Sequence, residues 1–295
     1  MEKGLAIITG ADGGMGQIIT LALAKEGYEV IMACKDPDKA QAICDRIKKD
    51  SGNDRIEIRR INLASMASVN SFAKKLLTEG RLVSRLMNNA GVLTTDTRKT
   101  EDGLETIVSV NYVGPYLLTR LLLPLMHEGT RIVNTVSCTY AIGKIEAGFF
   151  SKGKNGRFSR IAVYGNTKLA LLLFTRELAK RVKDRGINVN AADPGIVSTN
   201  MITMKAWFDP LTDILFRPFI KSPEQGAATA IHLALSPDAA GKNGCCYANC
   251  KEKKLSEHIQ HHPMQDRLWE DTEALLLSYN LPGIKNIQKR VGVYE

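Results

Sequence analysis

Tyr164 and Lys168 frame the segment Tyr164-Gly165-Asn166-Thr167-Lys168, and residues four apart on a helix share a face. A phenol ionises near ~10 when unperturbed, too high to exchange protons at neutral pH. An ammonium beside it favours the phenolate and lowers that value, which suits Tyr164 to general acid–base chemistry. Lys168 stands just ahead of Leu169-Ala170-Leu171-Leu172-Leu173-Phe174, so its charge is expected to be half buried. A Tyr-x-x-x-Lys spacing alone arises often by chance. This one follows an apolar strand ending in Ser137, whose hydroxyl can bind a substrate oxygen.

A second group of residues points to a phosphorylated ligand. The chain opens on an apolar segment that runs into Thr9-Gly10-Ala11-Asp12-Gly13-Gly14-Met15-Gly16 and then into an amphipathic stretch. Glycines let a backbone turn tightly and approach a pyrophosphate with no Cβ in the way. The following helix N-terminus offers free N–H groups and a positive dipole end. Between a strand and a helix, such a turn is what a dinucleotide site requires. After the second apolar segment comes Cys34-Lys35-Asp36, where an NAD-selecting site carries an acid for the ribose 2′-hydroxyl. Cys34 cannot serve, and Lys35 would attract a 2′-phosphate. Asp36 can either neutralise Lys35 or meet the ribose itself.

The elements that must position these groups alternate. Strands are predicted over Leu5–Thr9, Glu29–Ala33, Ile56–Ile61, Arg85–Asn88, Arg131–Val136, Asn188–Ala191 and Cys245–Ala248. Helices are predicted over Gly14–Glu26, Pro37–Lys49, Met66–Glu79, Leu104–Met126, Ala162–Val182 and Pro223–Leu235. Strands rich in Ile and Val without polar alternation are buried on both faces. The expectation is an α/β fold, a single-domain Rossmann-like doubly wound parallel sheet of about seven strands spanning residues 1–295. Residues 141–160 read as a surface loop. Residues 200–222 carry Met201, Met204, Trp207, Phe208, Phe216 and Phe219 and read as a substrate lid or as ordinary packing.

Composition removes other classes. Net charge is +9, with 40 Lys+Arg against 31 Asp+Glu, but the basic residues are scattered among acids, as on a solvated face. Lys251, Lys253 and Lys254 beside Glu252 are an instance. Nucleic acid is not an expected partner. No apolar run approaches the ~18 residues that cross a bilayer, so no membrane anchor is expected. Six cysteines in a long chain with no secretory signal read as reduced thiols, and the expected location is cytoplasmic. Cys245, Cys246 and Cys250, with His258, His261 and His262 downstream, lack paired metal-ligand spacing, so no metal is expected. Cys138 reads as core-facing.

Taken together, the chain resembles the short-chain dehydrogenase/reductase family from end to end. The glycine turn is similar to its T-G-x-x-x-G-x-G. Asn88-Asn89-Ala90-Gly91, Asn111, Ser137, Tyr164 with Lys168, and Asp193-Pro194-Gly195 followed by Thr199 match further motifs. The resemblance implies a catalytic set of Asn111, Ser137, Tyr164 and Lys168. Tyr164 would exchange the proton and Ser137 polarise the carbonyl. Lys168 would hold the nicotinamide ribose and lower the tyrosine pKa, and Asn111 would place a relay water. The expected NADP(H) contacts are Gly10, Asp12, Gly14, Met15, Gly16, Lys35, Asn62, Leu63, Asn89, Ala90, Gly91, Tyr164, Lys168, Pro194, Gly195 and Thr199.

Within the family the chain resembles the retinol-dehydrogenase-like NADP(H) branch, through Ile31-Met32-Ala33-Cys34-Lys35, Leu172-Leu173-Phe174-Thr175-Arg176-Glu177 and Arg267-Leu268-Trp269-Glu270. It departs from the branch at Lys35, where arginine is usual, and at Asn62, where aspartate is usual near the adenine. The implied function is NADP(H)-dependent interconversion of an alcohol and an aldehyde or ketone, on a lipophilic or bulky ring substrate. The rival is a non-catalytic NADP(H)-binding regulatory or scaffold protein of the same fold. Helices over Leu104–Met126 and Ala162–Val182 offer a face for a homo-oligomer.

Overall fold

Strand β1 (Leu5–Thr9) is buried along its whole length. Leu5 and Ile7 belong to one apolar layer, Ala6 and Ile8 to the other. A strand covered on both faces shows no polar alternation, which is why these runs are so apolar. The computed structural model describes residues 3–94, 99–150, 160–197 and 221–281. After β1 come α1 (Gly14–Lys25), β2 (Glu29–Cys34), α2 (Pro37–Ser51), β3 (Ile56–Arg60), α3 (Met66–Glu79) and β4 (Val83–Asn88). Next are α4 (Thr106–Val108), α5 (Gly114–Leu122), β5 (Met126–Thr135), α6 (Arg160–Arg181) and β6 (Asn188–Asp193). The chain then forms α7 (Pro223–Leu235), β7 (Cys246–Ala248), β8 (Lys251–Glu252), α8 (Glu257–Gln260) and α9 (Gln265–Ser278).

The strands make one sheet in the order β3-β2-β1-β4-β5-β6-β7-β8. All neighbours are parallel except β7 and β8. Helices α1, α2 and α7 cover one face, and α3, α5, α6 and α9 the other. The strand order reverses between β1 and β4, and ligands of such sheets bind at that switch point, outside the carboxyl ends of the strands. Local chemistry sets the helix starts. Asp36 caps α2, Ser65 caps α3, and Ser222 with Gln225 forms a capping box at α7.

The doubly wound α/β expectation holds, with eight strands in place of about seven. The eighth is a two-residue antiparallel edge at Lys251–Glu252. The expected helix over Leu104–Met126 is a composite. Residues Ser109–Val113 form a π-helical turn, Leu123–Leu125 a 3-10 turn, and Met126 already begins β5. An unbroken apolar run hid these changes of period. Helix α9 was not predicted at all. Residues 143–150 form no helix or strand, but the stretch is not simply surface. Ile145 is buried, and Phe149 and Phe150 pack on Tyr112. Of the stretch 200–222, only Lys221 and Ser222 lie within the described residues.

Candidate active site

The two halves of the sheet are tied together at the switch point by Thr9. Its Oγ1 accepts from the backbone N–H groups of Asn89 and Ala90, each at 3.1 Å, while Asn89 Nδ2 donates back to the Thr9 carbonyl at 3.2 Å. Gly10 sits at φ +62°, and a Cβ there would lie 3.0 Å from the Ala90 Cα. A Cβ on Gly16 would lie 2.0 Å from the Gly10 carbonyl oxygen. Glycine is therefore required at Gly10 by conformation and packing, and at Gly16 by packing.

This turn opens a cavity of about 820 Å³. Gly10, Asp12, Gly14, Met15, Gly16, Lys35, Asn62, Leu63, Asn89, Ala90 and Gly91, all among the residues expected to contact a cofactor, line it. Helix α1 begins there with Gly13 as a cap that offers no side chain, and with no acid in its first turn. Its first N–H groups are left for an anion, which the dipole also favours. Asn89 Oδ1 is buried without a hydrogen-bond partner in the same wall. The cavity thus fits a dinucleotide in size, donors and charge.

At the adenosine end the carboxylate Asp36 is committed elsewhere. It caps α2 and pairs with Lys39 at 3.0 Å. Lys35 is exposed on the cavity wall. Cys34 is buried, and burial, reinforced by the charge of Asp12 beside it, pushes its thiol up to about 12. The end of β2 therefore does meet a carboxylate, delivered by the glycine turn. Asn62 uses its Oδ1 to accept from Ala64 N–H at 3.1 Å, which shapes the loop after β3.

The catalytic candidates gather beyond Gly91. A Cβ on that glycine would stand 3.5 Å from both Asn111 Oδ1 and Lys168 Nζ. Asn111 lies in the π-helical turn, a feature that recurs at functional sites. Its amide is locked to the Val92 backbone, accepting at 2.8 Å and donating at 2.9 Å. Ser137 lies two residues past the end of β5 and caps a 3-10 turn over Cys138–Ile142. Lys168 is 2% exposed, more deeply buried than expected. Burial lowers its ammonium to about 8, against the opposing charge of Asp193. Its Nζ donates to the Thr135 carbonyl at 2.8 Å and lies 5.4 Å from the centre of the Tyr164 ring.

Burial pushes the Tyr164 phenol up to about 12, against a hydrogen bond with Ser137 that pulls it down. Lys168 does not lower the phenol in this arrangement: with its ammonium brought down to about 8 by burial, it loses its charge before Tyr164 would ionise. Pro194 and Gly195 follow β6, and Gly195 adopts φ +78° with Lys221 Nζ 3.2 Å from where its Cβ would be. Neither lines the cavity, and nor do Tyr164 and Lys168, the other two expected contacts outside its wall, while Thr199 lies outside the described residues.

Several participants escaped the sequence reading. Cavity walls also include Gln17, Val92, Thr106, Val110 and Pro223. Asp193 is buried and pairs at 3.1 Å with Lys253, which is half-buried, its ammonium on the carboxylate while part of its side chain remains in solvent. Cys138 is half-buried beside Tyr164 and does not face the core. Cys246 is buried, whereas Cys245 is half-buried and packs toward the opposite layer, as adjacent strand residues should. His262 is buried and accepts from Met264 N–H, unlike exposed His258 and His261. No group of metal ligands occurs among the described residues.

The family model for short chain dehydrogenase matches residues 4–207. The chain belongs to the short-chain dehydrogenase family. Retinol dehydrogenase 12 of Mus musculus is 37% identical over 274 residues, covering 92% of this chain and 86% of that protein. Retinol dehydrogenase 14 of Mus musculus is 34% identical over 291 residues, covering 94% and 86%. These similarities put this short-chain dehydrogenase on the retinol-dehydrogenase-like branch, and with it come alcohol–carbonyl oxidoreductase chemistry and a nicotinamide dinucleotide. Among solved structures, an uncharacterised protein of Mycobacterium paratuberculosis superposes with TM-score 0.74 at 26% identity, over 92% of each chain. A short chain dehydrogenase of Burkholderia cenocepacia in complex with NADP shares the fold, with TM-score 0.67 at 23% identity over 84% of this chain and 96% of that one.

Proposed function

We propose that this chain is an NADP(H)-dependent enzyme that interconverts an alcohol with an aldehyde or ketone, with Tyr164 as its acid–base group. The reading is carried by Asn111 and Lys168 standing directly behind Gly91 in the wall of the dinucleotide-sized cavity, with Tyr164 beside Lys168 and hydrogen-bonded to Ser137. Bound there, the nicotinamide supplies or accepts the hydride. A phenol near 12 is protonated at neutral pH, so Tyr164 stands ready to donate to a carbonyl oxygen that Ser137 also holds. Lys168, buried and within reach of the Gly91 wall, is suited to grip a ribose hydroxyl and to release its own hold on Thr135 as it does so. Asn111, fixed to Val92, keeps that wall in register and can order a water toward Lys168.

Support for NADP(H) comes from exposed Lys35 on the adenosine wall and from Asp36 being engaged with α2. Support for a bulky apolar substrate comes from exposed Ile142, Ile161 and Ile196, large apolar side chains close in sequence to Ser137, Tyr164 and Gly195. The six free cysteines suit a reducing, cytoplasmic setting. All this sits in what we read as one catalytic domain.

The test is Tyr164→Phe assayed for NADPH consumption on a panel of aldehydes and ketones. Cofactor affinity should survive while turnover falls by roughly 10²–10⁴-fold. A variant retaining near-parental kcat would remove Tyr164 from the proposed role. A parent that binds NADPH yet reduces nothing on the panel would favour the non-catalytic reading.

A further inference from the structure

Asp193 ends β6 and is 2% exposed. Its Oδ1 accepts from Gly195 N–H at 3.0 Å, which holds the turn after Pro194. Its Oδ2 meets Lys253 Nζ at 3.1 Å, from the segment that follows the β8 edge. The same ammonium lies 5.0 Å over the Tyr140 ring, in the 3-10 turn that Ser137 caps. Burial works against the charge of Lys253, yet Tyr140 and Asp193 more than offset it and hold the ammonium well above its usual range. A chain segment far from the catalytic helix thus grips both the turn after Ser137 and the turn after β6.

Asp193 also acts on the catalytic pair. Its charge favours the protonated form of Lys168 and opposes ionisation of Tyr164. The other groups named at this site among the described residues are few. Ser137 hydrogen-bonds the phenol, Cys138 opposes its ionisation, and Cys246 on β7 is itself pushed up to about 12 by burial and by Asp193. Asn111 and Thr167 are neutral. Of these, Lys253 is the cation that faces the carboxylate directly.

We propose that Lys253 is a positioning residue for the reaction, holding Asp193 and cancelling much of its field so that Lys168 and Tyr164 can release their protons. This rests on the proposed acid–base role of Tyr164, but its charge argument concerns Lys168 equally. Without Lys253 the carboxylate acts uncompensated, and both ionisations move to higher pH. Without Asp193 they move lower. Without either, the two changes cancel.

The experiment titrates Lys168 by NMR in protein labelled with ¹³C-lysine, the signal assigned by its loss in Lys168→Arg, alongside pH profiles of alcohol oxidation. Lys253→Met should raise the Lys168 midpoint by about one unit, the scale of a single nearby charge, and move the oxidation profile the same way. Lys253→Arg should restore the parental midpoints. Asp193→Asn should shift them down, which keeps the idea testable if Lys253→Met fails to fold. Lys253→Met with Asp193→Asn should return to the parental value. A Lys253→Met protein that loses thermal stability while both midpoints stay put would overturn the proposal. If the parent oxidises no alcohol, the functional reading fails while the Lys168 titration still decides this one.

Discussion

At the scale of single residues, we expect cofactor choice to turn on Lys35 and Asp12, two side chains that line one cavity. Lys35 presents a point charge without the bidentate fork of arginine. A partly exposed ion pair is worth ~1 kcal/mol, so Lys35→Ala should reduce the preference for NADPH over NADH by roughly tenfold or less. Asp12 works in the opposite sense from the same wall. Asp12→Asn should therefore sharpen the preference for NADPH several-fold. Calorimetric titration of both variants with both cofactors reads these changes, and added salt should shrink them. A preference indifferent to Lys35→Ala would refute the assignment. A second cation is available: Arg46 on α2 donates to Gln17, which lines the cavity. Lys35 and Asp12 were both legible as cofactor contacts, but the opposition between them and the reach of Arg46 were not. Sequence reading places a residue on an element but cannot say that the glycine turn returns to the end of β2 with a carboxylate.

At the scale of elements, the most consequential surprise is α9. It lies against α5 and α6 through Trp269, which stacks on Phe174 and packs against Tyr116. Arg120, 1% exposed, donates to Glu273 at 2.7 Å, and Tyr116 donates to the same oxygen at 2.6 Å. Tyr112 meets Thr272 at 2.8 Å. Gln265 donates to Glu177, whose carboxyl burial would raise; this hydrogen bond with Arg181 and Lys180 outweighs burial and holds it low. A buried guanidinium stripped of its partner is costly, so Glu273→Ala should destabilise the fold by about 3–5 kcal/mol. Urea denaturation measures this, and a loss well under 1 kcal/mol would mean the pair contributes little. The pattern of α9 was in fact readable, since Leu268, Trp269, Thr272 and Leu276 recur at helical spacing and are all buried. Strands and the Tyr164–Lys168 pair were legible because their signals are local. The Asp193–Lys253 pair spans 60 positions and depends on β7 and β8 pairing, which no local pattern encodes.

For the whole molecule, α9 alters what the expected oligomer face can do. The surface of α5 and α6 that a second copy would need is already covered by the chain's own helix. We expect sedimentation velocity at micromolar concentration to give a monomer, and a dimer dissociated by substitutions on α5 or α6 would contradict this. The same arrangement has a consequence for biosynthesis. Arg120 finds Glu273 only 153 positions later, an interval of roughly 8–30 seconds at ribosomal speeds of about 5–20 residues per second. Throughout it, the nascent chain displays an unmatched guanidinium and an uncovered aromatic face, a surface suited to chaperone capture. Messages that end after Thr199 but ahead of α9 should therefore yield polypeptides cleared by quality control, although every residue expected to do the chemistry has already been translated.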